Sequence, residues 1–225
     1  MHFFILVLLV CFFVFLYSIY SLAHDDFVLT RKDISVEVIF NASFLCAFFA
    51  LLMSRIFYVS SHPKPLFSGI LGFLLFPYFP GLSIVGCLVG GLAILFTYSR
   101  VKKLPFGRLF DFFSFAFSTA IPFGFLGEIL LGGSSISKLF SFVFYLIFLI
   151  LTIRFLLSSL NKGNFRDGTY GLLFLTIFSV ISFVSILIDE KFHPVFLNPE
   201  ILIIIAGFIF SFFLLVRQET KKSNS

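Results

Sequence analysis

The sequence predicts an all-α, polytopic membrane protein: seven transmembrane helices, with the N-terminus outside the cell and the C-terminus inside. Three observations carry that prediction. Mean hydropathy is +1.12, and 60% of the 225 residues are hydrophobic while only 12% are charged, about half the charge of an ordinary soluble domain. Apolar runs of about 20 residues, the length that crosses a bilayer core, recur until the chain is nearly used up. The basic residues between the runs alternate from one connection to the next. The first, third and fifth connections and the tail hold 12 Lys and Arg, and the other three connections hold 3. Lys and Arg are retained on the cytoplasmic side of a membrane, so this division orients the chain.

The spans read in order as 2–23, 36–60, 82–98, 109–131, 139–157, 169–188 and 199–216. They form one transmembrane domain, 1–216, followed by a polar cytoplasmic tail, 217–225. The first run, His2 to Ala23, resembles a signal peptide in its Ser21-Leu22-Ala23 ending. It lacks a basic leader, however, and exceeds the ~7–15 residues of a signal core, so it is expected to stay as a helix. Arg31 and Lys32 then mark the first inner turn, and Arg100, Lys102, Lys103 and Arg108 the second. Arg154, Lys162 and Arg166 mark the third, and Arg217, Lys221 and Lys222 the tail. Lys64, Lys138 and Lys191 fall on the outer connections. The apolar piece "LFSGILGFLLFPYFP" at 66–80 is short and broken by Pro77 and Pro80. A crossing there would invert every later loop, so an interfacial or re-entrant segment on the outer face is expected. A reporter active only outside the cytoplasm should be silent when fused after Ser225 and active after Lys138. The opposite pattern would show a miscounted span.

Composition excludes several function classes. The net charge of +5 lies on the inner turns, where it orients the protein and attracts anionic lipid; no nucleic-acid partner is implied. Cys11, Cys46 and Cys87 sit in separate apolar runs without metal-ligand spacing. Neither a metal nor a cofactor is expected. No Ser-His-Asp set or phosphate-cradling glycine loop is legible, and His62 and His193 fall on outer connections. Gly86, Gly90 and Gly91 have the small-residue spacing of close helix packing.

Ionisable residues at membrane depth cost a few kcal/mol on insertion scales and require a partner or a purpose. Arg55 and Glu128 lie about equally far from the outer ends of the second and fourth spans. One reading is a helix-pinning ion pair, or an Arg55 that snorkels to the headgroups. The other is a polar pocket open to the outer leaflet, in which the fork of Arg55 binds a phospholipid phosphate. Asp111, near Arg108, is expected as an inner boundary residue.

From Arg31 onward the chain resembles the bacterial prolipoprotein diacylglyceryl transferases. "RKDISVEVIF…LLMSRIFYVSSHP" is similar to their polar turn and the helix ending in an Ala-Arg-Leu-Gly-Tyr-Val-like motif, with Arg55 at the motif Arg. "LSIVGCLVGG" and "RVKKLPFGRLFDFF" follow in the order of the family's glycine-rich helix and Lys-Leu-Pro turn, and Asp111 stands at the Asp that starts the next helix. "AIPFGFLGEILLGG" looks like the segment ending Asn-Gly-Glu, with Gly127 and Glu128 at its Gly-Glu. "NKGNFRDGTYGLLFLTIF" and "LNPEILIIIAGFIFSFFLLVRQ" resemble the later turn and last helix.

The resemblance implies seven spans in a bacterial plasma membrane and transfer of diacylglyceryl from phosphatidylglycerol to a lipobox cysteine. Its partners would be that phospholipid and a prolipoprotein signal peptide. Arg55, Glu128, Gly86 and Gly127 would line the phospholipid site, with Glu128 the candidate for catalysis. The departures are as specific. Val85 stands at the family His, Ala120 (or Phe123) at the Arg of the glycine segment, and Leu126 at the Asn. Ser182 and Ile186 stand at the Arg and Glu of a late motif. Thiol deprotonation and stabilisation of a departing phosphate need a base and a cation, which these side chains do not supply. Two expectations therefore stand: a divergent transferase, or a relative that binds phospholipid or a lipoprotein precursor without turnover. A transporter lacks its usual pair of broken helices.

Overall fold

In a computed structural model, residues 2–24, 26–61, 81–133, 135–156, 166–189 and 199–223 are described. The expected interfacial segment at 66–80 lies outside them. The chain forms α1 (His2–His24), a short α2 (Phe27–Arg31), α3 (Val36–Ser61) and α4 (Ile84–Val101). Then come α5 (Phe106–Gly132), α6 (Ile136–Leu151) with a π-helical continuation Thr152–Leu156, α7 (Thr169–Asp189) and α8 (Pro199–Ser223). Among the described residues there is no strand, and seven helices are long and apolar enough to span a membrane. This is a multi-pass, all-α membrane protein.

Polar caps start several of these helices where the apolar runs begin. The side chain of Ser83 accepts from Gly86 N at the start of α4, and that of Ser135 from Lys138 N at the start of α6. Each satisfies a backbone donor that the first helical turn leaves without a partner. Several span ends differ from the hydropathy reading: α6 begins at Ile136 and α4 runs on to Val101. Helix α5 begins a turn earlier, at Phe106, and α8 runs on through Arg217 to Ser223. Arg, Gln and Lys are good helix formers, so the end of the apolar stretch is not the end of the helix.

Outside, the helices present apolar side chains: Ile136 is 79% exposed and Phe13 64%. A surface of that kind belongs in lipid. The centre is α5, for which 72% of the apolar window is buried, against 39% or less in every other span. Helix α1 runs antiparallel along it, with Phe15 edge-on to Phe113 at 5.7 Å, Ser18 Oγ 2.9 Å from Thr119 Oγ1, and Val7 against Gly127. Helix α7 runs parallel to α5, with Phe174 edge-on to Phe117 and the Tyr170 hydroxyl 3.0 Å from Ser118 Oγ. Helix α6 is antiparallel to both, with Tyr145 stacked on Phe125 and bonded to Ser182. Thr176 donates to Ser211 and ties α8 to α7.

Helices α3 and α4 form the second layer as a tight antiparallel pair. A Cβ on Gly86 would lie 2.7 Å from Met53 O, and one on Gly90 2.7 Å from Phe49 O. The missing side chains are what let the two backbones meet. Gly91 faces away, with nothing nearer than 3.9 Å. Ser54 Oγ donates to Ser83 O at 2.7 Å, so α4 starts at the end of the bundle where α3 finishes.

The basic turns gather at the other end. Arg108 donates through Nε at 2.9 Å and through Nη2 to Asp26, and its Nη1 is 3.6 Å from Asp167. Gln218 Nε2 donates to Asp167 O. The first, third and fifth connections and the end of α8 therefore meet, as their shared charge requires of one membrane face. Asp111 is 1% exposed and is no mere boundary residue. Its carboxylate accepts from Gly168 N at 2.7 Å and Gly171 N at 2.8 Å. It caps the N-terminus of α7 from a neighbouring helix, where the helix dipole favours a negative charge.

Candidate functional site

A cavity of about 540 Å³ lies among α1, α3, α4 and α5, with Phe174 and Leu175 of α7 also lining it. That volume falls within the range of small-molecule sites, and its walls are almost wholly apolar. Helix α1 contributes Ile5, Leu9 and Phe12, α3 contributes Phe44 and Phe48, and α4 contributes Leu88 and Leu92. Phe113, Ser114, Phe117 and Ala120 of α5 form the floor. Leu9 is 49% exposed, Phe44 53% and Phe48 61%, so the cavity opens sideways between α1 and α3 towards the bilayer. Water has few polar partners to hold it there; a hydrocarbon chain fits the chemistry of the walls.

All three cysteines line this space, one from each of α1, α3 and α4. Cys11 Sγ lies 3.7 Å from Ala120 O, as a weak donor. The sequence placed the thiols only in separate apolar runs. Their coincidence with Ala47, Ala50 and Gly91, all cavity-lining, was the available signal: small side chains on two neighbouring helices leave room. No group of three His, Cys, Asp or Glu among the described residues could hold a metal.

Arg55 belongs to the same face of α3 as the cavity. It follows the cavity-lining Leu51 by one turn, about 6 Å along the axis, on the side where α4 begins. The residue is 3% exposed. Its Nη1 donates to Gly81 O at 3.0 Å, and the guanidinium carbon lies 5.8 Å from the centroid of the Tyr58 ring. Arg55 is not itself a lining residue; its guanidinium lies one turn beyond the cavity wall on α3, held by a carbonyl and an aromatic face.

Glu128 does not join it. Its carboxylate is 3.2 Å from Lys138 Nζ, with the Glu128 side chain 54% exposed, and no contact links it to Arg55 among the described residues. The expected pairing of these two residues is therefore corrected. Both do lie towards the same end of the bundle, but equal depth does not fix direction around a helix axis. Glu128 turns outward to the start of α6, while Gly127 beside it is buried against Val7. Gly86 is buried against Met53, Ser54 and Phe57. Packing accounts for both glycines.

The positions where the sequence departs from the transferase pattern are well defined. Ala120 forms part of the cavity wall. Val85 is 4% exposed near the start of α4, and Ser182 is buried on α7 within 3.4 Å of the Tyr145 hydroxyl. No base or cation stands at any of the three. No family model matches this chain, and no curated protein matches it.

Proposed function

We propose that this chain is a phospholipid-binding protein of the bacterial plasma membrane, which seats an acyl chain in the central cavity and the lipid phosphate at Arg55, without turnover. One observation carries the reading: a 540 Å³ apolar cavity, open to lipid between two helices, with a buried arginine one turn beyond its wall on α3. An amphiphile with an anionic head and a hydrocarbon tail matches both parts. Guanidinium is suited to phosphate because its planar fork offers paired donors. Phosphatidylglycerol is the candidate, through the resemblance of the motif around Arg55. The division of basic residues assigns the Arg55 end to the outer leaflet.

The diacylglyceryl transferase reading uses the same lipid in the same place and adds chemistry. It is favoured by the order of the polar turns and by Ala120 facing the cavity at a family position. Against it stand Val85, Ala120 and Ser182, which supply neither proton acceptor nor cation. A prolipoprotein signal peptide is the partner which that reading would add, entering by the same opening between α1 and α3.

The cavity thiols report occupancy. In delipidated protein, N-ethylmaleimide should label the partly exposed Cys11 and Cys87, and added phosphatidylglycerol should slow the labelling. Arg55→Ala removes a charge-assisted hydrogen bond worth roughly 1.5–3 kcal/mol, so protection should need about 10- to 100-fold more lipid. Arg55→Lys keeps the charge, loses the fork and should fall between. Unchanged protection in Arg55→Ala, with only a lower melting temperature, would reduce Arg55 to a structural pin. Release of glycerol phosphate from bound lipid in the presence of a lipobox peptide would establish the transferase instead.

A further inference from the structure

We infer that the turn between α4 and α5 is a second, separate lipid site, a pocket that takes the headgroup phosphate of an anionic lipid from the leaflet facing the basic turns. The pocket is about 380 Å³ and is lined by Phe96, Ser99, Arg100, Lys103, Leu104 and Phe106. Two cations thus share a small space with two aromatic rings. The Arg100 guanidinium carbon lies 5.1 Å from the centroid of the Phe96 ring, which fixes its plane by cation–π attraction. Phe96 is in turn held edge-on to Phe106 at 5.4 Å. Helix α5 begins here after Pro105 without any side-chain cap. The partial positive charge of a 27-residue helix therefore adds to that of the two side chains.

The backbone supplies an independent argument. Helix α4 ends in a doubly bonded turn: Leu104 N donates to Ser99 O at 2.8 Å and Lys103 N to Arg100 O at 3.3 Å. Such a turn places its central residue in the left-handed region, and Lys103 has φ +54°. Glycine is the usual occupant, because any Cβ is strained there. The chain instead carries a lysine, and that lysine lines the pocket. Lys102 has the same charge one position earlier and does not line it.

A lipid suits the pocket better than a soluble phosphate because its walls continue the bilayer-facing surface. Phe96 is 46% exposed and Val101 73%, so acyl chains can run down α4 from a phosphate held at Arg100 and Lys103. The Arg55 site lies at the opposite end of the bundle and shares no residue with this one.

Native mass spectrometry of the full chain, released from nanodiscs of phosphatidylcholine and phosphatidylglycerol, tests the site. Arg100→Gln and Lys103→Gln should each lower about tenfold the phosphatidylglycerol retained beyond that of the Arg55 site, and Lys102→Gln by less than about twofold. The losses should be the same in an Arg55→Lys chain, which separates this site from the outer one. Lys103→Gly should lose the lipid while raising the melting temperature, because it relieves the left-handed backbone; a purely structural lysine would not divide in that way. Two results overturn the inference. An equal loss in Lys102→Gln would mean diffuse attraction to the whole turn. Displacement of phosphatidylglycerol by millimolar inorganic phosphate, dependent on Arg100 and Lys103, would mean that the natural ligand is a soluble phosphate.

Discussion

Asp111→Ala is expected to cost about 3–5 kcal/mol of stability, enough to leave little folded protein. Two charge-assisted hydrogen bonds at roughly 1.5–3 kcal/mol each would be lost, and two buried amides would be left without acceptors. Those amides, of Gly168 and Gly171, open α7, so the damage should spread to the α5–α7 contact. Asp111→Asn keeps the volume but offers only one good acceptor, and should recover about half the loss. Asp167→Asn is the control. Its carboxylate is 48% exposed and 3.6 Å from Arg108, and removing its charge should cost about 0.5 kcal/mol or less. Loss of the helical circular-dichroism signal on heating follows unfolding directly. Near-native melting of Asp111→Ala would show that the two hydrogen bonds contribute little, and would remove the capping account of α7.

The second large effect lies between α3 and α4. Alanine at Gly86 would meet Met53 O at 2.7 Å, Phe57 Cβ at 2.8 Å and Ser54 Cα at 2.9 Å. Alanine at Gly90 would meet Phe49 O and Met53 Cβ, both at 2.7 Å. Backbone atoms cannot turn aside as a side chain can, so the helices must part. Overpacking of this kind costs about 1–3 kcal/mol per site, and the double variant should approach the sum because one separation does not relieve both contacts. Gly91→Ala, with its nearest neighbour at 3.9 Å, should be neutral. The same thermal assay decides: equal melting of Gly86→Ala and Gly91→Ala would mean that the pair tolerates separation.

The positions of these residues show what a sequence can reveal. Charge partition across a membrane precedes any tertiary contact, so Arg31, Arg100, Arg108 and Arg217 announced a shared face, and the structure brings Arg108 together with groups from the first and fifth connections. The helix spacing of Gly86 and Gly90 pointed to close packing, which the structure gives to those two and not to Gly91. Arg55 was legible as a costly charge, but its bearing around α3 was not, and a partner chosen by depth alone was the wrong one. Asp111 was harder still. Its partners are backbone amides 57 and 60 positions away, and backbone groups leave no trace in residue identity. The cavity was hardest, because it is a space enclosed by five helices rather than a property of any one of them.

The pairing of α1 with α5 sets a schedule for biogenesis. Helix α1 ends at His24 and α5 begins at Phe106. At a synthesis rate of about 5–20 residues per second, the ribosome takes roughly 4–16 s to make the intervening chain. Through that interval α1 has inserted and its main partner does not yet exist. Helices α3 and α4, adjacent in the chain, can close on each other first. Only 11% of the apolar window of α1 is buried even in the finished bundle, so the segment is already suited to waiting alone in lipid. Helix α1, made before α3 and α4, is thus the last of these three to meet its main partner.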